Sequence, residues 1–478
     1  MESNNNLTGK TKKGLVWSFI ERFSTQGVQF VFGIILARLL TPNDYGIIAM
    51  PLFFLALAQC LIDGGFATAL VRKKEISQED LSTAFYFNVI GGVVCYFLLF
   101  VLSSLIASFY NTPILESVLK VTSLTVLFNS LCIVQQSILT RLIDFRRQAI
   151  VSLLSCIISG VVGIYMAYNG FGVWALAVQQ TGTAFLRLVL FWLVSSWRPS
   201  KVWSKESFHY LWGFGGKMMV TSILDSVYKN LYPLIIGKFF SANLLGYYTR
   251  AQQFAQLPSM NLTGILRRVT FPVLSVVQDD DDRLENIFRN ILRVSVFTMF
   301  PLMFFLIGIA KPLIVILLTE KWLPVVLLLQ ILCVGMMWYP VDAINLNLLM
   351  IKGRSDIVMK LEIFKKIIGI SILFITIPMG LEIMCVGFSI YSLIEILSDT
   401  YYSGKLYNIG LLKQLKDYSP SILMSFIILI LTYLLSIIIA NNYILLGLDI
   451  LVAIGVLFVS VKIFKIEEFD LLLSFIKK

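Results

Sequence analysis

Of the 478 residues, 58% are hydrophobic and only 14% are charged, with a mean hydropathy of +0.83 and a formal net charge of +11. A soluble domain carries about 25% charged residues, so this composition excludes an ordinary soluble protein. Six cysteines in apolar stretches without CxxC spacing, and a single His209 in a polar loop, exclude a disulfide framework, a histidine-based metal centre and a catalytic triad.

The chain opens with a polar, basic segment, "MESNNNLTGKTKKG", over 1–14. An apolar stretch follows that is too long for a signal-peptide core and has no small-residue cleavage pattern, so it reads as a retained first span. A helix crosses the hydrocarbon core with about 20 mostly apolar residues. Hydropathy predicts about fourteen such spans, at 15–40, 45–65, 83–108, 114–138, 149–168, 172–195, 211–237, 244–273, 289–309, 323–350, 358–378, 382–403, 420–440 and 443–463. Backbone amides in lipid must be satisfied within the segment, so the fold class is an all-α polytopic membrane protein.

The connections after odd spans, such as "YNTP", "NGFG" and "ANN", are poor in Lys and Arg. Those after even spans, such as "RKKE", "RLIDFRR", "WRPSKVWSK" and "IKGRS", are basic. This alternation places both termini in the cytoplasm. It also makes the net charge a positive-inside bias rather than a nucleic-acid footprint. The organisation expected is a cytoplasmic segment 1–14, an N-lobe of spans one to six (15–200), and a C-lobe of spans seven to twelve (211–403). A cytoplasmic linker (404–418), spans thirteen and fourteen (419–464) and a cytoplasmic tail (465–478) follow. Lys311 and Lys321 depart from the alternation, and Trp322 beside them suggests an interfacial segment.

Spans one to two and seven to eight share a repeat. "GIILARLLTPNDYGII" (Gly33–Ile48) and "LIIGKFFSANLLGYY" (Leu234–Tyr248) pair Ile35 with Ile235, Arg38 with Lys238, Asn43 with Asn243 and Gly46 with Gly246, at one offset of 200. The same offset pairs Thr41-Pro42 with Ser241-Ala242. A shift of six spans preserves orientation, as in transporters built from parallel repeats about an axis along the membrane normal.

These spans also carry polar faces. Ser18, Arg22, Gln26, Gln29 and Gly33 recur at helical steps in the first span, and Ser222, Asp225, Ser226 and Lys229 in the seventh, with Lys217 more than a turn earlier. The eighth adds Arg250, Gln253 and Gln256. A mid-span Lys or Arg costs about 2.5–3.5 kcal/mol on insertion scales, and such residues face a partner or a water-filled cavity. One reading is a cavity lined by Arg22, Gln26, Gln29, Lys217, Lys229, Arg250 and Gln253, in which surplus cations receive an anionic substrate, Arg being apt for phosphate. The other is an internal set of ion pairs, with Glu21, Asp225 and Asp342 as partners of Arg22, Lys217 or Lys229. Asp63, Glu395 and Asp399 remain open between a proton- or sodium-coupling role and helix capping. "QDDDDRLEN" (Gln278–Asn286) lacks the glycine and spacing of a calcium loop and reads as an acidic loop capping the ninth helix. Pro51, Pro258 and Pro340 would kink or break their spans.

The segments "QGVQFVFGIILARLLTPNDYGIIAM", "FPVLSVVQDDDDRLENIFRNILRVSVFTMFPL" and "LLTEKWLPVVLLLQIL" resemble bacterial polysaccharide exporters of the teichuronic-acid and colanic-acid type. These are relatives of the O-antigen flippases in the multidrug/oligosaccharidyl-lipid/polysaccharide superfamily. The resemblance covers about Gly14 to Leu415 and weakens in the last two spans. It implies a multi-pass flippase of the bacterial inner membrane, with no cofactor and no catalytic residues. Its substrate would be an isoprenoid-pyrophosphate-linked oligosaccharide moved from the cytoplasmic to the periplasmic leaflet. Membrane lipids, a coupling ion (H+ or Na+) and a polysaccharide polymerase are the partners expected. The resemblance also implies that Arg22 and Arg250, by the spans they occupy, face the head group. A cation-coupled drug exporter of the same superfamily would need acidic cavity residues. A membrane polymerase or ligase would need a large external loop, and the external connections are short.

Overall fold

Twenty α-helices and two single-turn 3-10 helices form the protein in a computed structural model, which describes residues 2–407 and 409–463. No strand occurs among the described residues. The chain divides into two compact units, Met1–Gly246 and Tyr247–Lys478.

The first unit begins with α1 (Glu2–Leu39), α2 (Pro42–Ala49), α3 (Leu52–Asp63), α4 (Phe66–Arg72) and α5 (Gln78–Phe109). It continues with α6 (Ile114–Thr122), α7 (Leu124–Ser130), α8 (Ile133–Arg141), α9 (Phe145–Tyr168), α10 (Val173–Val194) and α11 (Lys205–Phe239). Helix α1 packs along α9, α9 along α10, and α11 against α3. Polar side chains set the helix starts. Thr41 accepts from the Asp44 N–H at 3.3 Å while the Asp44 carboxylate accepts from the Thr41 N–H at 2.9 Å. This reciprocal cap is followed by Pro42 at the first helical position, where its missing N–H costs nothing. Ser77 and Asp80 repeat the device at α5, with Lys73 ion-paired to Asp80 at 2.7 Å.

α12 (Ala242–Val276) starts in the first unit, and there the sequence repeat meets itself. Ser241 caps α12 by accepting from the Leu244 N–H at 3.3 Å, as Thr41 caps α2. A Cβ on Gly46 would lie 1.7 Å from the Ala242 carbonyl oxygen, and one on Gly246 would lie 2.0 Å from that of Pro42. At the offset of 200 these are one contact made twice, 46 against 242 and 246 against 42. The repeated glycine is therefore a steric requirement: the two backbones cross where no side chain fits.

The second unit holds the rest of α12, then α13 (Asp281–Gly308), α14 (Ala310–Leu318), α15 (Val325–Met336) and α16 (Tyr339–Ile351). α17 (Ser355–Thr376), α18 (Leu381–Tyr407), α19 (Leu411–Ile438) and α20 (Asn442–Ile463) complete it. α13 packs along α19, both α15 and α17 along α18, and α20 against α14 and α19. Asp280 caps α13 by accepting from the Arg283 N–H at 3.0 Å, and Asp281 pairs with Lys352 at 2.5 Å, so the acidic loop serves helix capping and ion pairing.

Among the described residues, nine helical segments are long and apolar enough to cross a membrane, or ten if the bent pair Ile114–Ser130 and Ile133–Arg141 is one span. Length and apolarity alone thus identify nine or ten of the fourteen expected spans among the described residues. The four expected spans that miss the criterion lie on α1, α11, α12 and α17, helices of 38, 35, 35 and 22 residues. α11, α12 and α17 carry charged residues within their apolar stretches, and on α1 the apolar stretch among the described residues is Phe23–Leu39. Pro51 and Pro340 interrupt their spans, separating α2 from α3 and α15 from α16, whereas Pro258 lies inside continuous α12. Trp322 is fully buried, edge-on to Tyr247 at 6.0 Å.

Candidate functional site

Three helices of the first unit build a polar cavity of about 320 Å³. α1 contributes Glu21, Thr25, Gln26 and Gln29, α9 contributes Ser152 and Cys156, and α10 contributes Thr183 and Arg187. Each helix presents residues four apart (21, 25 and 29; 152 and 156; 183 and 187), which the helical period stacks on one face. In lipid such a face is unfavourable unless its polar atoms meet partners or water.

The hydrogen bonds inside the cavity are sparse. Ser152 Oγ donates to the Glu21 carboxylate at 3.2 Å. Thr183 Oγ1 lies 2.5 Å from Ser159 Oγ and donates to the Gln179 carbonyl at 2.7 Å. Thr25 Oγ1 and Arg187 Nε are buried and have no hydrogen-bond partner among the described residues. Glu21 and Arg187 both line the space, yet no ion pair joins them. Among the described residues the lining therefore carries one anion, one cation, two side-chain amides and hydroxyls, with hydrogen-bonding capacity left over.

Gln26 and Gln29 reach this cavity, as their helical phase predicts, and so does Glu21. The Arg22 side chain lies outside the described ones. Lys217 is exposed on α11. Lys229 pairs with Asp225 one turn earlier at 2.7 Å, both side chains more than half exposed. Asp63 accepts from the Ala67 N–H at 3.3 Å and so caps the start of α4.

In the second unit, Arg250 is buried and donates to the Gln253 side-chain oxygen at 2.5 Å, Gln253 itself being exposed. Asp342 belongs to a buried cluster. Lys365, 1% exposed, donates to Asp342 at 2.8 Å and to Asp399, which is fully buried, at 2.7 Å. Beside it, Ser403 and Gln414 both donate to Asn345 Oδ1, at 2.9 and 3.0 Å, and Tyr418 donates to Gln414 at 2.8 Å. This seam ties α16, α17, α18 and α19 together.

Arg187 and Lys365 are absent from the residues singled out by sequence. The signal for Arg187 is that it is the one charged residue of α10. Lys365 sits among Lys360, Glu362 and Lys366, a pattern that resembles a span's charged end. No group of three or more potential metal ligands occurs among the described residues.

Comparison with known proteins now bears on the site. The family described as "Polysaccharide biosynthesis protein" matches residues 35–327. The lipopolysaccharide biosynthesis protein WzxC of Escherichia coli is 28% identical over 365 residues, covering 75% of this chain and 73% of its own length. The teichuronic acid biosynthesis protein TuaB of Bacillus subtilis is 23% identical, with 73% of each chain covered. The succinoglycan biosynthesis transport protein ExoT of Rhizobium meliloti is 27% identical, covering 64% of this chain and 62% of its own. In fold, the chain is similar to the lipid II flippase MurJ in an inward closed conformation, with a TM-score of 0.75, 16% identity, and 94% and 98% of the two chains covered. A multidrug resistance MATE transporter of the MOP superfamily in an inward-facing conformation gives a TM-score of 0.62 at 14% identity, over 81% and 96%. The matched proteins named by activity are transporters and flippases rather than enzymes, and the chain itself is a multi-pass membrane protein.

Proposed function

We propose that this chain, which belongs to the polysaccharide biosynthesis protein family, is a flippase for an isoprenoid-pyrophosphate-linked oligosaccharide. It moves the head group from the cytoplasmic to the periplasmic leaflet of a bacterial inner membrane by alternating access. The observation that carries the reading is the cavity of α1, α9 and α10, a recess lined by hydrogen-bonding side chains on otherwise apolar helices. Its support is the fold likeness to a lipid II flippase over nearly the whole chain. A head group of this kind is polar and hydroxyl-rich, while its polyprenyl tail stays in the bilayer. The protein therefore has to shelter only the polar part.

In this reading Arg22, Arg250 and the exposed Lys217 meet the pyrophosphate, because guanidinium groups bind phosphate oxygens bidentately. Gln26, Gln29 and Gln253 meet sugar hydroxyls. Lys229 is held by Asp225 and contributes to the cation surplus only when that pair opens. Glu21, Asp63 and Asp342 are the carboxylates at which a proton or sodium ion couples. The working division is the one given by the repeat, an N-lobe at 15–200 and a C-lobe at 211–403, with both termini cytoplasmic and a polysaccharide polymerase receiving the product outside.

Depletion of the protein from its host tests the reading. The lipid-linked oligosaccharide should then accumulate, and its sugar should lose accessibility to a lectin on the outer face of spheroplasts. Unchanged outer-face sugar, together with loss of organic-cation efflux, would move the chain to drug export.

A further inference from the structure

We propose that the cavity of α1, α9 and α10 is a subsite for a single sugar ring of the head group, with Thr25 and Arg187 as its unspent hydrogen-bonding partners; this rests on the flippase reading. Three observations lead there. The first is unsatisfied capacity. Thr25 Oγ1 and Arg187 Nε are buried without partners among the described residues, and such atoms cost about 1–3 kcal/mol each unless something meets them.

The second is charge. Glu21 and Arg187 are the charged residues of the described lining and no ion pair joins them, so their charges offset each other and a carboxylate faces whatever enters. A pyrophosphate would be repelled by Glu21, whereas a sugar hydroxyl both donates and accepts. It can give its proton to Glu21 and take one from Arg187, which presents five N–H donors. Gln26 and Gln29 add amides able to do both. The third is size. At about 320 Å³, the space lies at the lower end of ligand cavities, roughly 300–1,000 Å³. It suits one ring with ordered water rather than an extended glycan or a phosphate-bearing segment. The cavity thus separates two tasks, sugar recognition here and phosphate recognition by cations elsewhere.

Cys156 lines the same cavity and supplies a reporter. A protein retaining only this cysteine, with Cys60, Cys95, Cys132, Cys333 and Cys385 replaced by serine, is reconstituted in liposomes. Methyl methanethiosulfonate then labels Cys156 in the presence of polyprenyl pyrophosphate, or of the polyprenyl-pyrophosphate oligosaccharide extracted from the host. The glycosylated lipid should slow labelling and the sugar-free lipid should not. Thr25→Val, which preserves shape, and Arg187→Gln should remove that protection and slow oligosaccharide transfer about tenfold each, the loss expected for a hydrogen bond to a sugar in a buried site. Normal transfer by the parent protein with no protection of Cys156 would overturn the subsite and leave the flippase standing. So would transfer unchanged in both Thr25→Val and Arg187→Gln. Equal protection by both lipids would assign the cavity to the pyrophosphate and overturn the proposal. No transfer and no protection with any lipid-linked sugar would remove the flippase reading and the subsite with it.

Discussion

Replacing Lys365 by methionine removes the cation that two carboxylates share inside the second unit. Lys365 is 1% exposed, bonds Asp342 at 2.8 Å and Asp399 at 2.7 Å, and Asp399 has no exposure at all. Methionine fills much the same volume, so the change is electrostatic rather than a cavity. Breaking a buried ion pair by removing one partner costs about 3–5 kcal/mol, because the remaining charge stays desolvated. At roughly 2 °C per kcal/mol, the apparent melting midpoint in detergent should fall by about 6–10 °C. The double variant Lys365→Met with Asp399→Asn removes the orphaned charge, while Asp342, 20% exposed, keeps access to solvent. It should recover at least half of the loss, since apolar or neutral replacements of buried pairs are often tolerated. Fluorescence-detected size-exclusion after heating measures both. A single variant within about 2 °C of the parent, or a double variant no better than the single one, would refute the assignment of this cluster as a stabilising ion-paired core.

Gly46→Ala and Gly246→Ala should each destabilise by at least the 1–3 kcal/mol typical of overpacking, because the added methyl meets a backbone carbonyl and no side chain can move aside. Loss of monodisperse protein on extraction checks this, and an unaffected Gly46→Ala would contradict the crossing. Lys229→Ala should change the midpoint by no more than a degree or so, since exposed pairs one turn apart contribute about 0.3–0.5 kcal/mol. Arg289→Ala should cost about 1.5–3 kcal/mol in the same assay, because Arg289 donates to both Asp417 oxygens, at 2.7 and 2.6 Å.

Local chemistry is what a single sequence states well here. The apolar spans, the acidic cap of α13 and the ion-pairing option for Lys229 all depend on residues within a few positions of one another. The offset of 200 is also legible, and its glycine acquires a cause once Gly46 and Ala242 are seen in contact. The face of Gln26 and Gln29 follows from helical phase. Its partners do not, because Ser152 and Arg187 come from helices more than a hundred residues away. For the same reason the cluster of Lys365 with Asp342 and Asp399 is hidden. Its members are 23 and 34 positions apart on separate helices, and α17 reads as too charged to be buried. The surplus of cations expected of the cavity is likewise a matter of tertiary placement. Among the described residues, the lining of the first unit's cavity includes one cation and one anion.

The most direct test of flippase activity is transfer itself. The purified protein is placed in liposomes containing a fluorescently labelled polyprenyl-pyrophosphate oligosaccharide, and the appearance of sugar at the opposite face is followed by its accessibility to a membrane-impermeant quencher. The account predicts transfer well above protein-free liposomes, reduced in Arg22→Ala and Arg250→Ala protein that remains folded. Transfer no faster than in protein-free liposomes, with active protein by the thermal criterion, would contradict it.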